Sequence, residues 1–417
     1  MDLSRRSFLG MSAAGIVAVT SARASANERI RTAIIGLNNR GPQVAAAMIK
    51  TGQFDIVTLC DCDTSMFDVG MKELGGKLPA KPKLEADYRK VYEDRDIDAV
   101  VIATPDHSHA LLACQAFDAG KHIYLEKPAS YNIHDGQMMV AAQQKHPDRV
   151  LAVGTQQRSG QHFIDAKAFI DGGGLGKIAF ARAWISHSRD KVDRVPDSEP
   201  PASLNYDMWL RPAPMVPFNK NRVHYNWRFI RDYGTGEMGN WGAHWIDTVR
   251  WLVNLDLPSS AAGAGGTFVT HDAKEWPDTQ TVIYQFPDLT LLWELRLWTE
   301  YGVNGMSGGA EIGGDKGTLI INRRGWEFFP TEGPSKKHGG SELEVAHAKN
   351  FAEAIQGKAK TAIDIVDGHK TATVCHLGNI SVALNRQISF DPKTETFPGD
   401  EAANALARRD YRAPWTV

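Results

Sequence analysis

The chain has 417 residues, with 47 Lys and Arg against 49 Asp and Glu, for a formal net charge of −2. That balance excludes the strongly basic field that nucleic acid or an anionic membrane surface would select. A chain this long is too large for one core, so two domains are expected, and its four cysteines are too few for a disulfide scaffold.

In chain order, the first segment is a leader. SRRSFLG (4–10) resembles a twin-arginine export signal, an address carried by proteins that fold before leaving the cytoplasm. The weakly apolar run from Leu9 to Val19 has eleven residues. At about 1.5 Å each they cannot cross a hydrocarbon core of about 30 Å, so the segment is processed and is not an anchor. Small residues end at Ala24-Ser25-Ala26, and cleavage is expected after Ala26, placing the mature chain in the periplasm or otherwise outside the cytoplasm. No later stretch is apolar enough to span a bilayer.

From Arg29 a strand–turn–helix pattern repeats. RTAIIG, FDIVTLCD, DIDAVVIATP and KHIYLEKP read as strands, with HALLACQAFDAG as a helix between the last two. Strands alternating with helices predict a parallel α/β sheet, which VLAVGT (150–155) closes, so a domain boundary falls near Thr155. Cys60 and Cys62 on one strand, and Cys114 and Cys375 in helices, read as buried thiols.

The second half has a different texture. GKIAFARAWIS, TQTVIYQFP and TLLWELRLW are longer and alternate, with Leu291, Trp293, Leu295 and Leu297 on one face. PDLT joins two of them as a hairpin, and KGTLIINRRGWEFFP reads as another. A mainly antiparallel sheet with one apolar face follows, and that face, needing cover, predicts a homodimer or homotetramer. Between Ser186 and Gly234 lies a long aromatic segment with six prolines, read as a wall or lid over the site. Helices ELEVAHAKNFAEAIQG and Ile365 to about Arg386 complete the chain.

Gly36-Leu37-Asn38-Asn39-Arg40-Gly41 follows the first strand and opens a helix, the place of a dinucleotide-binding turn, with Asn38 where the middle glycine usually stands. Backbone N–H groups of the turn and helix N-terminus would hold a pyrophosphate. Asp61 ends the next strand, 25 residues after Gly36, where a carboxylate accepts from a ribose diol and disfavours a 2′-phosphate. NAD is therefore expected over NADP, with Arg40 keeping NADP open as a phosphate partner. No His, Cys and Asp cluster has metal-ligand spacing.

GLNNRG, Asp61, Thr104-Pro105-x-His107-x-His109, Glu126-Lys127-Pro128 and the helix EMGNWGAHWIDTVRWL together resemble the glucose–fructose oxidoreductase / inositol dehydrogenase (Gfo/Idh/MocA) family. The resemblance implies a leader over 1–26, a Rossmann NAD(P)-binding domain over 27–155, and a C-terminal α/β substrate and oligomerisation domain over 156–417. That second domain would carry a large, mostly antiparallel open sheet. It further implies that Gly36, Asn38, Asn39, Arg40, Gly41, Asp61, Thr104, Pro105, His107, His109, Glu126, Lys127 and Gln156 serve the cofactor. Lys127 would lie beside the nicotinamide and a substrate hydroxyl, where a buried ammonium with a lowered pKa can exchange a proton. His244 is its partner. The family usually carries Asp four residues before this histidine; here Asn240 stands there, able to orient but not to relay a proton, and Asp247 is left to fix the imidazole tautomer. Gln157, Arg158, Tyr225, Trp227, Tyr233, Asn240, His244 and Asp247 are expected around the substrate, and the lid adds Tyr206, Trp209, Arg222 and His224.

The reading that follows is an exported NAD(P)-dependent oxidoreductase acting on a hydroxyl of a sugar, glycoside or cyclitol. Outside the cytoplasm the cofactor cannot be replaced. A complex with Kd of about 1 nM and an on-rate of about 10⁶ M⁻¹s⁻¹ empties in roughly a quarter of an hour, so retention for a day needs about 10 pM. A tightly retained cofactor must be re-oxidised in place, which leaves a two-substrate cycle or, alternatively, a redox-neutral glycosidase working by transient oxidation and elimination. A non-catalytic sugar-binding or sensing protein is the other alternative.

Overall fold

The computed structural model describes residues 29–417 except Pro79. The expected leader and its cleavage site lie outside the described residues. Six parallel strands form the first sheet: β1 (Ile30–Ile35), β2 (Phe54–Cys60), β3 (Lys83–Glu85), β4 (Ala99–Ile102), β5 (His122–Leu125) and β6 (Leu151–Val153). Their order, β3-β2-β1-β4-β5-β6, reverses direction between β1 and β4, the crevice where open α/β sheets bind ligands. β1 and β4 are buried at every position but Arg31 because helices cover both faces. The first helix, Arg40–Thr51, presents Val44, Ala45 and Met48 to the sheet and stops at Gly52, whose φ of 72° only glycine adopts cheaply.

The second sheet has nine strands: β7 (Ile178–Ser186), β8 (Ser260–Gly266), β9 (Thr279–Gln285), β10 (Thr290–Arg296), β11 (Gly308–Gly314), β12 (Gly317–Asn322), β13 (Gly325–Pro330), β14 (Lys336–Gly339) and β15 (Gln387–Ser389). Their order is β14-β13-β12-β11-β7-β10-β9-β8-β15, and only the β7–β10 pair runs parallel. The two hairpins expected from PDLT and INRRGW are present as β9–β10 and β12–β13. Leu291, Trp293, Leu295 and Leu297 are buried, as alternation requires.

Their cover corrects one expectation. The chain's own helices Ala243–Leu252 and Ile365–Leu384 pack against that face, so its apolar content gives no argument for a dimer or tetramer. The opposite face is the open one, carrying Ile283 and Phe329 at 48% and 41% exposure. All four cysteines are buried free thiols, as expected. No helix among the described residues is long and apolar enough to cross a membrane.

The two halves are tied together near the crevice. Helix Glu344–Ile355 returns from the second domain and stacks Phe351 on Phe54 of β2. The segment after β7 pairs with the end of the first domain's β2 through Thr64 N–H to Ser203 O (2.9 Å) and Asn205 N–H to Cys62 O (2.9 Å).

Candidate active site

Loops at the carboxyl ends of β1, β4 and β5 form one wall of a cleft of about 380 Å³, and the π-helical turn Met238–Gly242 with the segment after β7 forms the other. At the β1 turn Gly36 has φ 99°, and a Cβ there would lie 2.5 Å from the Ala103 carbonyl. Gly41 packs its Cα against the same turn, where a Cβ would meet Gly36 O at 2.0 Å. Asp61 closes the turn by accepting from Leu37 N–H at 2.9 Å and Asp63 N–H at 3.0 Å. Beside it a recess of about 60 Å³ is bounded by Gly36, Asp61, Tyr88 and Pro105, with Trp209 and Arg211 from the segment after β7.

These residues fit a dinucleotide. The bare Gly36 lets a ligand approach the backbone, and the helix from Arg40 offers N–H groups to a pyrophosphate. Asp61 keeps lone pairs for a ribose diol. Gln156 donates to Glu344 (2.8 Å), while its buried Oε1 has no partner among the described residues and faces the same cleft. Arg40 is engaged elsewhere: its Nε meets Glu126 at 2.6 Å and its Nη2 meets Glu344 at 2.8 Å, so its guanidinium is not free for a 2′-phosphate. Among the described residues no group of His, Cys, Asp and Glu could hold a metal ion.

Deeper in the cleft, Lys127 Nζ donates to Asn240 Oδ1 at 2.6 Å and to the Asn240 carbonyl at 3.3 Å. Burial brings its pKa down to about 8; Glu126 opposes the shift and Arg228 adds to it. Asn240 is itself oriented, its Nδ2 donating to Glu237 Oε2 at 3.0 Å, and buried Glu237 is held by Arg189 at 2.8 Å. His244 lines the same cleft. Burial first, then the charges of Arg323 and Lys127, hold its pKa well below the usual value, so the ring is neutral at pH 7. Its Nδ1 is buried without a partner among the described residues. A neutral imidazole and an amine with a pKa near 8 can bind an alcohol hydroxyl and exchange its proton.

Of the residues expected from the sequence, Asn38, Asn39, Arg40, Thr104, Glu126 and Gln156 line the glycine-turn side of the cleft. Gly36, Asp61 and Pro105 line the recess. Lys127, Tyr225, Trp227, Asn240 and His244 line the remainder.

Others stand elsewhere. His107 does not line the cleft: its ring bridges Trp209 O (3.1 Å) and Tyr233 O (3.3 Å), pinning the segment after β7 to the first domain. His109 braces the wall from behind, between Pro128 O (2.8 Å) and Thr104 O (3.0 Å). Tyr233 is fully buried against His107 and Trp209 and does not reach a substrate. Gln157 is buried on Thr248 at 2.9 Å.

Arg158 and Asp247 form a buried two-pronged ion pair at 2.7 and 2.9 Å, so neither faces substrate and Asp247 does not touch His244. The π turn Met238–Gly242 lies between Asn240 and the regular helix Ala243–Leu252 that holds both His244 and Asp247, and Asp247 is drawn away from the imidazole by Arg158 and Thr371. Tyr206 and Arg222 also lie off the cleft, on Phe218 and Pro217. Asp106, Arg189, Glu237, Arg323 and Glu344 also line the cleft and carry no sequence motif that marks them; only the fold brings them together.

Comparison with known proteins now decides the family. Residues 30–155 match the NAD-binding Rossmann fold of the Gfo/Idh/MocA oxidoreductase family, and residues 177–262 and 339–417 match its C-terminal alpha/beta domain. The chain belongs to the Gfo/Idh/MocA family. Among its curated relatives is inositol 2-dehydrogenase of Salmonella typhimurium, 25% identical over 149 residues, which is 36% of this chain and 43% of that enzyme. Levoglucosan dehydrogenase of Pseudarthrobacter phenanthrenivorans is 31% identical over 169 residues, 40% of this chain and 36% of that enzyme. The chain thus spans less than half the length of these curated members of the family in the matched stretch. Among solved structures, the aldose-aldose oxidoreductase from Caulobacter crescentus complexed with glycerol superposes with TM-score 0.69 at 17% identity. The match covers 87% of this chain and all of that one. A levoglucosan dehydrogenase in complex with NADH and levoglucosan gives TM-score 0.67 at 18% identity, covering 87% and 99%. At these identities the structures establish the Gfo/Idh/MocA fold.

Proposed function

We propose that this protein is an NAD-dependent oxidoreductase of a secondary hydroxyl on a sugar, glycoside or cyclitol, with Lys127 as the proton-exchanging group. The observation that carries it is Lys127 Nζ, held 2.6 Å from Asn240 Oδ1 in the cleft it shares with His244 and the glycine turn. Relatives named for inositol and levoglucosan support the substrate class. When bound, the nicotinamide supplies the hydride acceptor or donor. Asn240, backed by Glu237 and Arg189, fixes the direction of the amine. In the oxidative direction the neutral amine takes the hydroxyl proton; in the reductive direction the ammonium returns it. His244, neutral, accepts a hydrogen bond from the substrate and holds the reacting hydroxyl toward Lys127.

The proposal extends to a retained cofactor and to export. Retention is supported by the segment after β7, which brings Trp209, Arg211, His224 and Trp227 over the recess beside Asp61 and is fastened there by His107. Export rests on the arginine pair and small-residue ending of residues 1–26. For self-association, the open outer face of the nine-stranded sheet replaces the face first suspected.

The test is nicotinamide absorbance of the purified protein against a panel of sugars and cyclitols, followed across pH. Lys127 has its pKa near 8, so oxidation should rise with pH through about 8, where it is half-maximal, and level about one pH unit above that. At pH 7 it should run at about a tenth of the plateau, and carbonyl reduction should fall through the same range. A flat profile from pH 6 to 9, or no absorbance change with any member, contradicts the assignment. Release of aglycone from glycosides without net absorbance change would favour the redox-neutral glycosidase cycle.

A further inference from the structure

Counting charges around the cleft exposes an imbalance. Arg40 is paired with Glu126 and Glu344, Arg189 with Glu237, and Lys127 is seated on Asn240 beside Glu126. Arg323 has no such partner. It stands in the β12–β13 turn and lines the cleft, and among the described residues no carboxylate lies within 4.0 Å of it. Its guanidinium stacks 5.2 Å over the Trp241 ring. Its Nη2 reaches the Gln157 amide oxygen at 3.3 Å, and its buried Nε has no acceptor among the described residues. The neighbouring Trp241 Nε1, another group that can only donate, is also buried and unmatched.

Arg228 likewise lacks an ion pair among the described residues, sandwiched between Tyr225 and Trp227. It stands where the cleft meets the recess by the glycine turn, because Trp227 lines both, and so falls to the dinucleotide. Arg323 does not line the recess. It belongs to the His244 end, since Gln157, which it contacts, also donates to the His244 carbonyl at 3.4 Å.

A partly buried guanidinium with no carboxylate in contact and an unmatched Nε is unfavourable unless a ligand brings an acceptor. A neutral sugar hydroxyl can accept from it but cannot compensate it, whereas an oxyanion does both and matches the planar fork of donors. We infer that the substrate carries an anionic group, a uronate carboxylate or a phosphate ester, which Arg323 receives at the His244 end of the cleft. This deepens the proposed function and rests on it. The hydroxyl that reacts and the anion that is recognised then lie on one small molecule between Lys127 and Arg323. Burial lowers the pKa of Arg323, with Glu344 and Glu126 opposing from beyond contact distance and Arg40 adding to the shift.

The test uses the full-length purified protein with whatever cofactor it carries, and matched pairs of probes. D-glucuronate is set against D-glucose, D-galacturonate against D-galactose, and glucose 6-phosphate against glucose. Binding is read by titration calorimetry, which needs no turnover, and reaction by nicotinamide absorbance. In each productive pair the charged member is expected to bind about tenfold to a hundredfold more tightly, the scale of a charge-assisted contact. Preference for the uronates or for the phosphate identifies which anion is read. Arg323→Gln should bring the charged-to-neutral ratio near one, and Arg323→Lys should keep part of it. Equal affinity within every pair, or an undiminished preference in Arg323→Gln, overturns the inference. If Arg323→Gln does not fold, the wild-type ratio decides alone. Neutral sugars that bind and react without preference sink this inference and spare the proposed function; silence from every probe sinks both.

Discussion

Lys127→Met is expected to lower turnover by about 10²- to 10⁴-fold while leaving the nicotinamide content of the purified protein unchanged. Methionine keeps most of the length and apolar bulk of the lysine stem, so the loss isolates the amine. The amine contacts Asn240 and is not built into the turn at Gly36 or the carboxylate at Asp61, which are proposed to hold the dinucleotide. Asn240→Asp gives the same assignment a second reading. It puts a charge where Lys127 now has a neutral acceptor at 2.6 Å, so the lysine pKa should rise above about 8 and the oxidation profile shift to higher pH. Turnover by Lys127→Met within about threefold of wild type would remove this lysine from the chemistry.

Asp247→Ala is expected to destabilise the fold by about 3 kcal/mol, the lower part of the range for breaking a buried ion pair. Asp247 is fully buried and accepts from Arg158 at 2.7 and 2.9 Å and from Thr371 at 2.8 Å. Its removal leaves the Arg158 guanidinium, 3% exposed, with only Asp367 at 2.7 Å. If desolvated charge is the cause, the double change Asp247→Leu with Arg158→Met should be less destabilising than Asp247→Ala, because it removes both charges and keeps volume. Thermal unfolding of the three proteins decides the point. A double variant worse than the single would mean that packing, not charge, sets the cost.

The sequence was most legible where hydrophobic periodicity and turn chemistry coincide. β1 with its glycine turn, the β9–β10 hairpin and helix Ile365–Leu384 all announce themselves this way. It was silent at SAAGAGG and GGAEIGG. These are β8 and β11, and several of their glycines sit where neighbours press too close for a side chain. A Cβ at Gly263 would lie 2.6 Å from Ser381 Oγ and Val382 Cγ2 of the overlying helix. No alternation survives in such a strand, so no pattern can report it. In the site, residues within the strand-end motifs GLNNRG and EKP were visible because the motif and its place coincide.

His107, Arg158, Tyr233 and Asp247 were misplaced for a shared reason. They are polar or aromatic residues near the site in sequence, but tertiary partners far away, such as Trp209 and Thr371, turn them inward. Arg323, which stacks on Trp241, and Glu344, which pairs with Arg40, lie far along the chain from those partners and leave no local trace.

The proposed function requires a dinucleotide lodged at the glycine turn with its ring beside Lys127, and its release from the protein can be measured. Freshly purified full-length protein is denatured, and the released small molecules are read by mass and ultraviolet absorbance. Close to one nicotinamide dinucleotide per chain is expected, with the mass of NAD and not of its 2′-phosphate. Protein that releases none, and that takes up neither NAD nor NADH when either is added, would contradict the proposed function.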